Sequence, residues 1–208
     1  MATDLAWQPS LFDGPGAVLR IDPAFRGARR NELSDGAWVD IVPRWCTGAD
    51  ALLSRLLTDV PWHPQRHVRM YDSIVAEPRL THRWEIDAEP GPPAVLLEMA
   101  ALLSERYGVG FTQVGANLYR DGADSVAWHG DRVARELPAA VVALVSLGAV
   151  RPFRLRPVGG GAGVGFLPGP GDLLVMGGTC QRTWQHAVPK VRASAPRISV
   201  QFRHAYQR

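Results

Sequence analysis

The spacing of hydrophobic residues along this chain changes at about residue 110. Before that point, two segments carry apolar residues at the spacing of an amphipathic helix. The first spans 49–60, has leucines at 52, 53, 56 and 57, and is followed by Pro61, which cannot continue a helix. The second spans 92–107 and is followed by Gly108, a residue favoured at helix C-termini. The pattern therefore predicts two helices.

The remaining pattern is of short segments with strand-like alternation between Gly- and Pro-containing turns. Four segments before residue 110 read as strands, and we expect the last two to pair: 17–22, 38–45, 67–71 and 79–86. Eight follow with no helical pattern among them: 111–120, 126–130, 139–147, 153–158, 164–167, 172–176, 182–188 and 197–204. The glycine-rich stretch 159–163 reads as a hairpin loop.

Eight short strands with two helices predict a mainly β fold with flanking helices, built as an antiparallel jelly roll. At 208 residues the chain is expected to form a single domain over 1–208. Residues 1–110 would be an N-terminal extension with the helices and a hairpin, and residues 111–208 would be the jelly-roll core.

The composition of the chain indicates its protein class and the kinds of partner it could bind. The chain is 46% hydrophobic and 21% charged, which is typical of globular proteins. Its net charge is +3, and arginine supplies nearly all the positive charge because Lys190 is the sole lysine. Guanidinium groups suit carboxylate and phosphate partners, so nucleic-acid binding is permitted. Codon bias toward arginine explains the composition equally well.

The location of the protein is predicted from what the sequence does and does not carry. Two cysteines, Cys46 and Cys180, are too few for a disulfide framework and fit a reducing interior. We read no signal peptide, and the longest apolar stretch, 137–150, is shorter than the roughly 20 residues of a membrane span. We therefore expect a soluble, cytoplasmic monomer without a membrane partner.

Candidate chemistry begins with His129-Gly130-Asp131 and continues with His186. Residues i and i+2 of a strand share a face, so His129 and Asp131 are expected to project together, with His186 facing them from another strand. Two imidazoles and one carboxylate without a thiolate suit ferrous iron, and less specifically zinc or manganese. The alternative is a chance motif with an ordinary hydrogen-bonded core histidine.

Polar residues on two predicted strands could hold an anion beside this metal. Arg197 and Arg203 share one strand face, and the apolar residues between them form the other. An unpaired buried charge costs several kcal/mol, so buried arginines need an anion such as a dicarboxylate. Asn117 and Tyr119 share a face as further donors. The alternative is that the arginine face is turned toward water.

The order and spacing of these motifs resemble the AlkB-like family of Fe(II)- and 2-oxoglutarate-dependent dioxygenases. The resemblance covers roughly 77–204 and includes Gly-Asp-Leu-Leu-Val-Met-Gly-Gly at 171–178, Trp-Gln-His-Ala-Val-Pro at 184–189 and Glu-Pro-Arg-Leu-Thr at 77–81. It implies a double-stranded β-helix, Fe(II), 2-oxoglutarate as co-substrate, and oxidative demethylation of N-alkylated nucleobases in DNA or RNA, with formaldehyde and succinate released. A role in DNA repair would follow.

The resemblance also implies roles for individual residues. His129, Asp131 and His186 would be the iron ligands and so the catalytic residues. Arg197, aided by Tyr119, would hold the distal carboxylate of 2-oxoglutarate, and Arg203 with Asn117 would hold the carboxylate near the metal. Ser199 is counted with this set, although many members have Asn at its position. Many members also have acidic residues after His-x-Asp, where this chain has Arg132-Val133-Ala134-Arg135-Glu136.

Residues for the alkylated nucleic acid are predicted from planarity and charge. Trp184 shares a strand face with His186, so it could stack a flipped base, although core packing explains it equally well. Arg69 and Arg79, with Arg66 and Arg83, could contact phosphates or form a solvated face. Two alternatives stay open: the same chemistry on a protein or small-molecule substrate, and a jelly-roll module that binds metal without turnover.

Overall fold

The structure is a computed structural model that describes residues 18–63, 67–70, 73–76, 78–133 and 137–204. For 67–70 and 73–76 it describes the backbone alone. The described residues form four β-sheets, two of them two-stranded, with two long helices, one short helical turn and a 3-10 turn at Ser34–Gly36. The helices are α1 (Ala49–Asp59), α2 (Ala94–Tyr107) and α3 (Cys180–Thr183). The strands are β1 (Arg20–Ile21), β2 (Arg29–Glu32), β3 (Ala37–Val42), β4 (Cys46–Thr47), β5 (His67–Met70), β6 (Ser73–Ala76), β7 (Leu80–Glu85), β8 (Gln113–Tyr119), β9 (Val126–His129), β10 (Val142–Gly148), β11 (Phe153–Pro157), β12 (Val164–Phe166), β13 (Leu173–Gly178), β14 (Trp184–Val188) and β15 (Arg197–Arg203).

Most of these strands belong to two antiparallel sheets. The larger sheet has seven strands in the order β2-β3-β13-β10-β15-β8-β7, and the smaller has four in the order β12-β11-β14-β9. Sequence neighbours are repeatedly separated in these orders, as in a jelly roll. The predicted mainly β fold with flanking helices, built as an antiparallel jelly roll, is confirmed.

The two long helices cover the outer face of the seven-stranded sheet. Leu52, Leu53 and Leu56 of α1 and Leu96 and Leu103 of α2 are at most 3% exposed and belong to one core cluster. The sheet contributes every second residue to this cluster, including Ile198, Val200 and Phe202 of β15. Gly108 ends α2 in the left-handed conformation that glycine adopts without strain. Both predicted helices are confirmed to within two residues.

The other face of the seven-stranded sheet looks toward the smaller sheet. A second apolar cluster fills part of this interior, with Leu144 and Met176 from the larger sheet and Phe153 and Leu155 from the smaller. Alternation therefore directs the polar residues of β15 inward, opposite to its apolar face. Arg197, Ser199 and Gln201 are all at most 3% exposed. The alternative in which this face is turned toward water is excluded for them.

The one strand pairing predicted in the N-terminal half is wrong. The segments predicted as 67–71 and 79–86 do form β5 and β7, but they do not pair with each other. β5 pairs with β6, because the apolar segment Ser73–Ala76 follows it after a short connection. β7 instead joins the edge of the large sheet beside β8, where Trp84 is 8% exposed in the core under the helices.

The large sheet crosses the boundary expected at residue 110. β2, β3 and β7 come from the N-terminal half and complete the sheet that β8 continues. The glycine-rich stretch 159–163 lies in the connection of the β11–β12 hairpin, as predicted. Of the helices that the structure describes, none combines the length and the apolar character that a membrane crossing requires.

Candidate metal centre

Two histidines from neighbouring strands meet inside the jelly roll. β9 and β14 are antiparallel neighbours, and their register pairs His129 directly with His186. The two imidazole rings lie 4.2 Å apart, and Phe153 stacks on His186 with ring centroids 5.4 Å apart. The register shifts between this pair and the next, Val188 with Val126, so that β9 has one extra residue. This bulge lets Val126 and His129 both face the interior.

Asp131 completes the group from outside the strand. His129 and Asp131 do lie together as predicted, but β9 ends at His129, so strand alternation is not what places Asp131. Its carboxylate is nevertheless close: Oδ1 of Asp131 lies 3.8 Å from Nε2 of His129. Arg203 contacts the same carboxylate through Nε at 3.2 Å and Nη2 at 3.3 Å. These contacts orient a side chain that the strand itself cannot orient.

The donor set suits a metal ion. One ligand atom from each of His129, Asp131 and His186 can be chosen so that all lie within 4.8 Å of one another. Nδ1 of His129 lies 2.9 Å from the carbonyl oxygen of Ala127, so a proton there leaves Nε2 unprotonated toward the group. Two imidazoles and a carboxylate match the set that non-haem iron oxygenases use.

Charge and burial keep two of these groups in the form that binds a cation. Burial lowers the pKa of His186 to about 3, although Asp131 acts in the opposite direction. Burial raises the pKa of Asp131, but the charges of Arg203, His186 and His129 more than offset this and bring the pKa to about 2. At neutral pH, His186 is therefore neutral and Asp131 is ionised, as ligands must be.

We expect the metal-free protein to lose stability as pH falls from about 6.5 toward 3. In that range the unfolded chain protonates His186 at its usual pKa of 6.5, whereas the folded chain, with a pKa of about 3, does not. The unfolded state therefore binds more protons, and acid favours it. Urea denaturation at pH 7 and pH 4 measures the effect. His186→Gln should show a smaller pH dependence than wild type, and equal dependences would contradict the expectation.

Arg197 is buried with unsatisfied donors. Its residue is 1% exposed, and Nη2 donates to Ser146 Oγ at 2.7 Å. Its Cζ lies 5.3 Å from the ring centroid of Tyr119. Among the described residues, Nε and Nη1 of Arg197 have no hydrogen-bond partner. A buried guanidinium with free donors is costly, and a carboxylate that accepts two hydrogen bonds would satisfy it. The two unpaired nitrogens, Nε and Nη1, therefore fit a carboxylate of 2-oxoglutarate.

The other predicted co-substrate residues line one cavity, which we call the inner cavity. Asn117, Tyr119, Ser199 and Arg203 all contribute to its wall, together with the three candidate ligands. Apolar side chains form the rest of the lining: Val126, Leu144, Phe153 and Val188. The structure therefore brings these four polar residues and the three candidate ligands into one cavity wall. Arg197 is not among the lining residues but lies against one of them, Tyr119.

Gln201 is a lining residue that was not singled out from the sequence. It lies between Ser199 and Arg203 on the inward face of β15 and lines the inner cavity. Strand alternation could have found it, because it is two residues from each neighbour on that face. Gly115 stands opposite in register, and a Cβ there would lie 3.1 Å from both Gln201 Oε1 and Arg203 Nη1.

A second depression, the outer cleft, opens on the other side of the ligands. It shares Asn117, His129, Asp131, Gln201 and Arg203 with the inner cavity, so the metal group lies between the two. Its rim is polar and basic, and includes His63, Arg79, Thr81 and Arg83. The structure thus places Arg79 and Arg83 on the approach to the candidate metal site.

The other residues predicted to contact substrate are not brought there. Trp184 shares a face with His186, but it is 5% exposed in the interior cluster, and its Nε1 donates to the Ser34 carbonyl at 3.4 Å. Its prediction as a base-stacking residue is wrong, because sharing a strand face does not fix which end of the chamber a side chain fills. The side chain of Arg69, and Arg66 as a whole, lie outside the described residues.

Comparison with known proteins identifies related sequences and folds. A family model described as the 2OG-Fe(II) oxygenase superfamily matches residues 47–203. The human protein "Alpha-ketoglutarate-dependent dioxygenase alkB homolog 3" is 34% identical over 96% of this chain and 74% of its own length. Its bovine counterpart is 34% identical over 76% of this chain, which spans 62% of that relative's length.

Two further matches are more distant. The human "DNA oxidative demethylase ALKBH2" is 32% identical over 46% of this chain and 40% of its own length. A solved oxidoreductase of the 2OG-Fe(II) oxygenase family from Burkholderia pseudomallei superposes with a TM-score of 0.58. That superposition covers 82% of this chain and 88% of the other at 16% identity, so it bears on the fold alone.

Proposed function

The chain belongs to the 2OG-Fe(II) oxygenase superfamily and is an Fe(II)- and 2-oxoglutarate-dependent dioxygenase, and from that premise we propose that it oxidatively demethylates N-alkylated nucleobases in DNA or RNA. The observation that carries the proposal is the His129, Asp131 and His186 group, together with a buried Arg197 that has unsatisfied donors and lies against Tyr119, a residue of the inner-cavity wall. The proposal is therefore for a reaction in which iron and 2-oxoglutarate are used together.

In this proposal two tasks are divided among the polar residues of the inner cavity and Arg197, which lies against the cavity residue Tyr119. His129, Asp131 and His186 hold the iron. Arg197 and Tyr119 donate hydrogen bonds to the distal carboxylate of 2-oxoglutarate, whereas Arg203, Asn117 and Ser199 lie near the metal-side carboxylate. Arg203 also contacts Asp131, so a single guanidinium would bridge the metal ligand and the co-substrate. The apolar part of the lining lowers the local dielectric, which would strengthen these charge-assisted hydrogen bonds.

Iron held by His129, Asp131 and His186 would supply oxidation chemistry that uses dioxygen and 2-oxoglutarate. One oxygen atom would enter succinate as 2-oxoglutarate loses CO₂, and the other would convert a methyl C–H bond of the substrate to C–OH. The N-hydroxymethyl group then breaks away as formaldehyde and leaves the unmodified base. The chain contributes by positioning the methyl group and by holding the cofactor chemistry away from solvent. A base must leave its stack to reach such a centre, and the outer cleft is the open approach to it.

Two observations support a nucleic-acid substrate. The relative named as a DNA oxidative demethylase matches about half of the chain. The rim of the outer cleft is basic where a phosphate backbone would approach. Formaldehyde release from N-methylated DNA and RNA oligonucleotides, compared with N-methylated peptides, tests the proposal. We expect release from oligonucleotides; release from peptides alone would contradict the nucleic-acid substrate and retain the chemistry.

Arg79→Ala should weaken oligonucleotide binding nearly equally for different base sequences, because phosphates carry no sequence information. If Arg79 contacts one phosphate, the slope of log Kd against log salt concentration should fall by about 1. Fluorescence anisotropy across a salt series measures both. Arg55→Ala on α1 is the matched control, because Arg55 is an exposed arginine on the far side of the sheet. Equal salt slopes in wild type and Arg79→Ala would exclude the phosphate contact.

The monomeric state and the cytoplasmic location stay predictions. Light scattering coupled to size-exclusion chromatography would test the first, and localisation of a tagged chain in its cell of origin would test the second.

A further inference from the structure

Asp131 is oriented by a backbone contact that comes from a distant part of the chain. Because β9 ends at His129, no sheet hydrogen bond fixes the backbone of Asp131. Its amide N–H instead donates to Oε1 of Gln181 at 2.8 Å. Gln181 is in α3, fifty residues later, and is 6% exposed. A buried side chain thus takes over the role that a neighbouring strand performs for His129.

The Gln181 side chain is itself held from both ends. Its Nε2 donates to Sδ of Met176 on β13 at 3.4 Å. Its own carbonyl oxygen lies against Gly130, where a Cβ would come within 2.9 Å of it. That distance is too short for any side chain, so glycine at 130 allows the segment before Asp131 to pass directly over α3. Gln181 therefore lies close to two consecutive residues, Gly130 through its own carbonyl oxygen and Asp131 through the 2.8 Å hydrogen bond.

The short helix α3, which carries Gln181, connects Asp131 to the strand that carries His186. α3 leads directly into β14, which carries His186 five residues after Gln181. Arg182, the next residue of α3, donates to the Val133 carbonyl at 2.8 Å and to the Leu137 carbonyl at 3.2 Å. The described ends of the segment after Asp131 are thus fastened to α3 as well. A shift of α3 would move both the Asp131 backbone and the start of the His186 strand.

We propose that Gln181 is a positioning residue that sets the affinity of the metal centre by fixing the backbone of Asp131. The inference rests on the proposed function, because it takes Asp131 to be a metal ligand. Partners that orient ligands without touching the metal typically contribute 10- to 100-fold in metal affinity. Gln181 would do so without contacting the carboxylate, which Arg203 contacts instead. Its effect is transmitted through the main chain.

Titration of the metal-free full-length chain with Mn²⁺, followed by electron paramagnetic resonance, measures this effect without turnover. Mn²⁺ is the probe because imidazole and carboxylate ligands accommodate it. Gln181→Met keeps the volume and removes the acceptor, so the Mn²⁺ Kd should rise about 10- to 100-fold. Gln181→Glu keeps an acceptor oxygen at the same distance along the side chain, so its Mn²⁺ Kd should stay within about threefold of the wild-type value. This result is expected if the acceptor oxygen, and not the amide group as a whole, is required.

The matched control is Gln185→Met. Gln185 is a half-buried residue of β14 beside His186, but it accepts a hydrogen bond from Arg156 on the outer face of the small sheet. The same substitution there should leave Mn²⁺ affinity unchanged. If Gln181→Met does not fold, as judged by circular dichroism, Gln181→Asn replaces it, because it stays polar but is one methylene too short to reach Asp131.

The possible outcomes separate the inference from the function on which it rests. If the wild-type chain binds Mn²⁺ and folded Gln181→Met or Gln181→Asn binds it with the same Kd, the positioning role is overturned and the metal centre stands. A wild-type chain that binds no Mn²⁺ overturns the metal centre and the positioning role together. Weaker binding in Gln181→Met, with recovery in Gln181→Glu and no change in Gln185→Met, supports the inference.

Discussion

Asp131→Ala should abolish turnover, lowering kcat/KM by a factor on the order of 1,000 or more. The carboxylate is the sole anionic member of the group with His129 and His186, so its loss removes the charge that retains a divalent cation. Metal chemistry of this kind supplies several kcal/mol of transition-state stabilisation, and about 4 kcal/mol corresponds to roughly a thousandfold in rate. Formaldehyde release from a methylated oligonucleotide measures the loss.

The fold should survive this substitution. Asp131 lies beyond the end of β9 and outside both apolar clusters, so no packed side chain is removed. Circular dichroism would confirm folding, and Mn²⁺ titration would show whether the lost activity follows lost metal. Asp59→Ala, an exposed aspartate on α1, is the control and should keep full activity. Turnover retained by folded Asp131→Ala would exclude Asp131 as a ligand.

Strand periodicity explains why the co-substrate residues could be predicted from the sequence. In β15, polar and apolar residues alternate strictly, and a period of two leaves one arrangement once the apolar set is buried under helices. Arg197 and Arg203 must then face the interior together, and the same holds for Asn117 and Tyr119 in β8. The register Arg197 with Tyr119 and Ser199 with Asn117 places these pairs side by side.

Periodicity fails where the chain leaves the sheet. His-x-Asp suggests two side chains on one strand face, yet the strand ends at the histidine and Asp131 is held by Gln181 and Arg203. The turn that carries Gln181 is four residues long, too short to show a helical pattern. Trp184 shows a second limit of sequence reasoning. Alternation correctly predicts which face of β14 carries its side chain, but whether that side chain reaches the site or packs in the core depends on residues distant in sequence.

Of the arginines that the structure describes, the two most deeply buried show how hydrogen bonding distinguishes a binding residue from a structural one. Arg151 and Arg197 are each 1% exposed. Arg151 donates to three backbone carbonyls, of Asp121, Asp124 and Pro189, and so ties two loops together. Arg197 donates to Ser146 and keeps two nitrogens without a partner among the described residues. Among the described residues, Arg151 leaves only Nε without a partner, whereas Arg197 leaves both Nε and Nη1, so Arg197 has two donors available for an anion from outside the chain.

Arg197→Met should therefore abolish the response to 2-oxoglutarate without destabilising the free protein. Removing one partner of a buried charge pair costs about 3 kcal/mol, so the affinity for 2-oxoglutarate with Mn²⁺ should fall about 100-fold. The free protein should be as stable as wild type or more so, because methionine removes a poorly satisfied buried charge. In wild type, 2-oxoglutarate at about 100 times its Kd should raise Tm by roughly 5–10 °C.

Arg151→Met is the matched control with the opposite expectation. It should lower the stability of the free protein by about 3 kcal/mol, because buried carbonyls lose their donor, yet retain the rise in Tm with 2-oxoglutarate. Thermal unfolding of both variants, with and without Mn²⁺ and 2-oxoglutarate, therefore gives a crossed result. Two results would contradict the expectation for Arg197. One is a loss of stability in Arg197→Met as large as that in Arg151→Met, and the other is an unchanged rise in Tm with 2-oxoglutarate in Arg197→Met. Either would show that the unpaired donors of Arg197 do not bind the co-substrate.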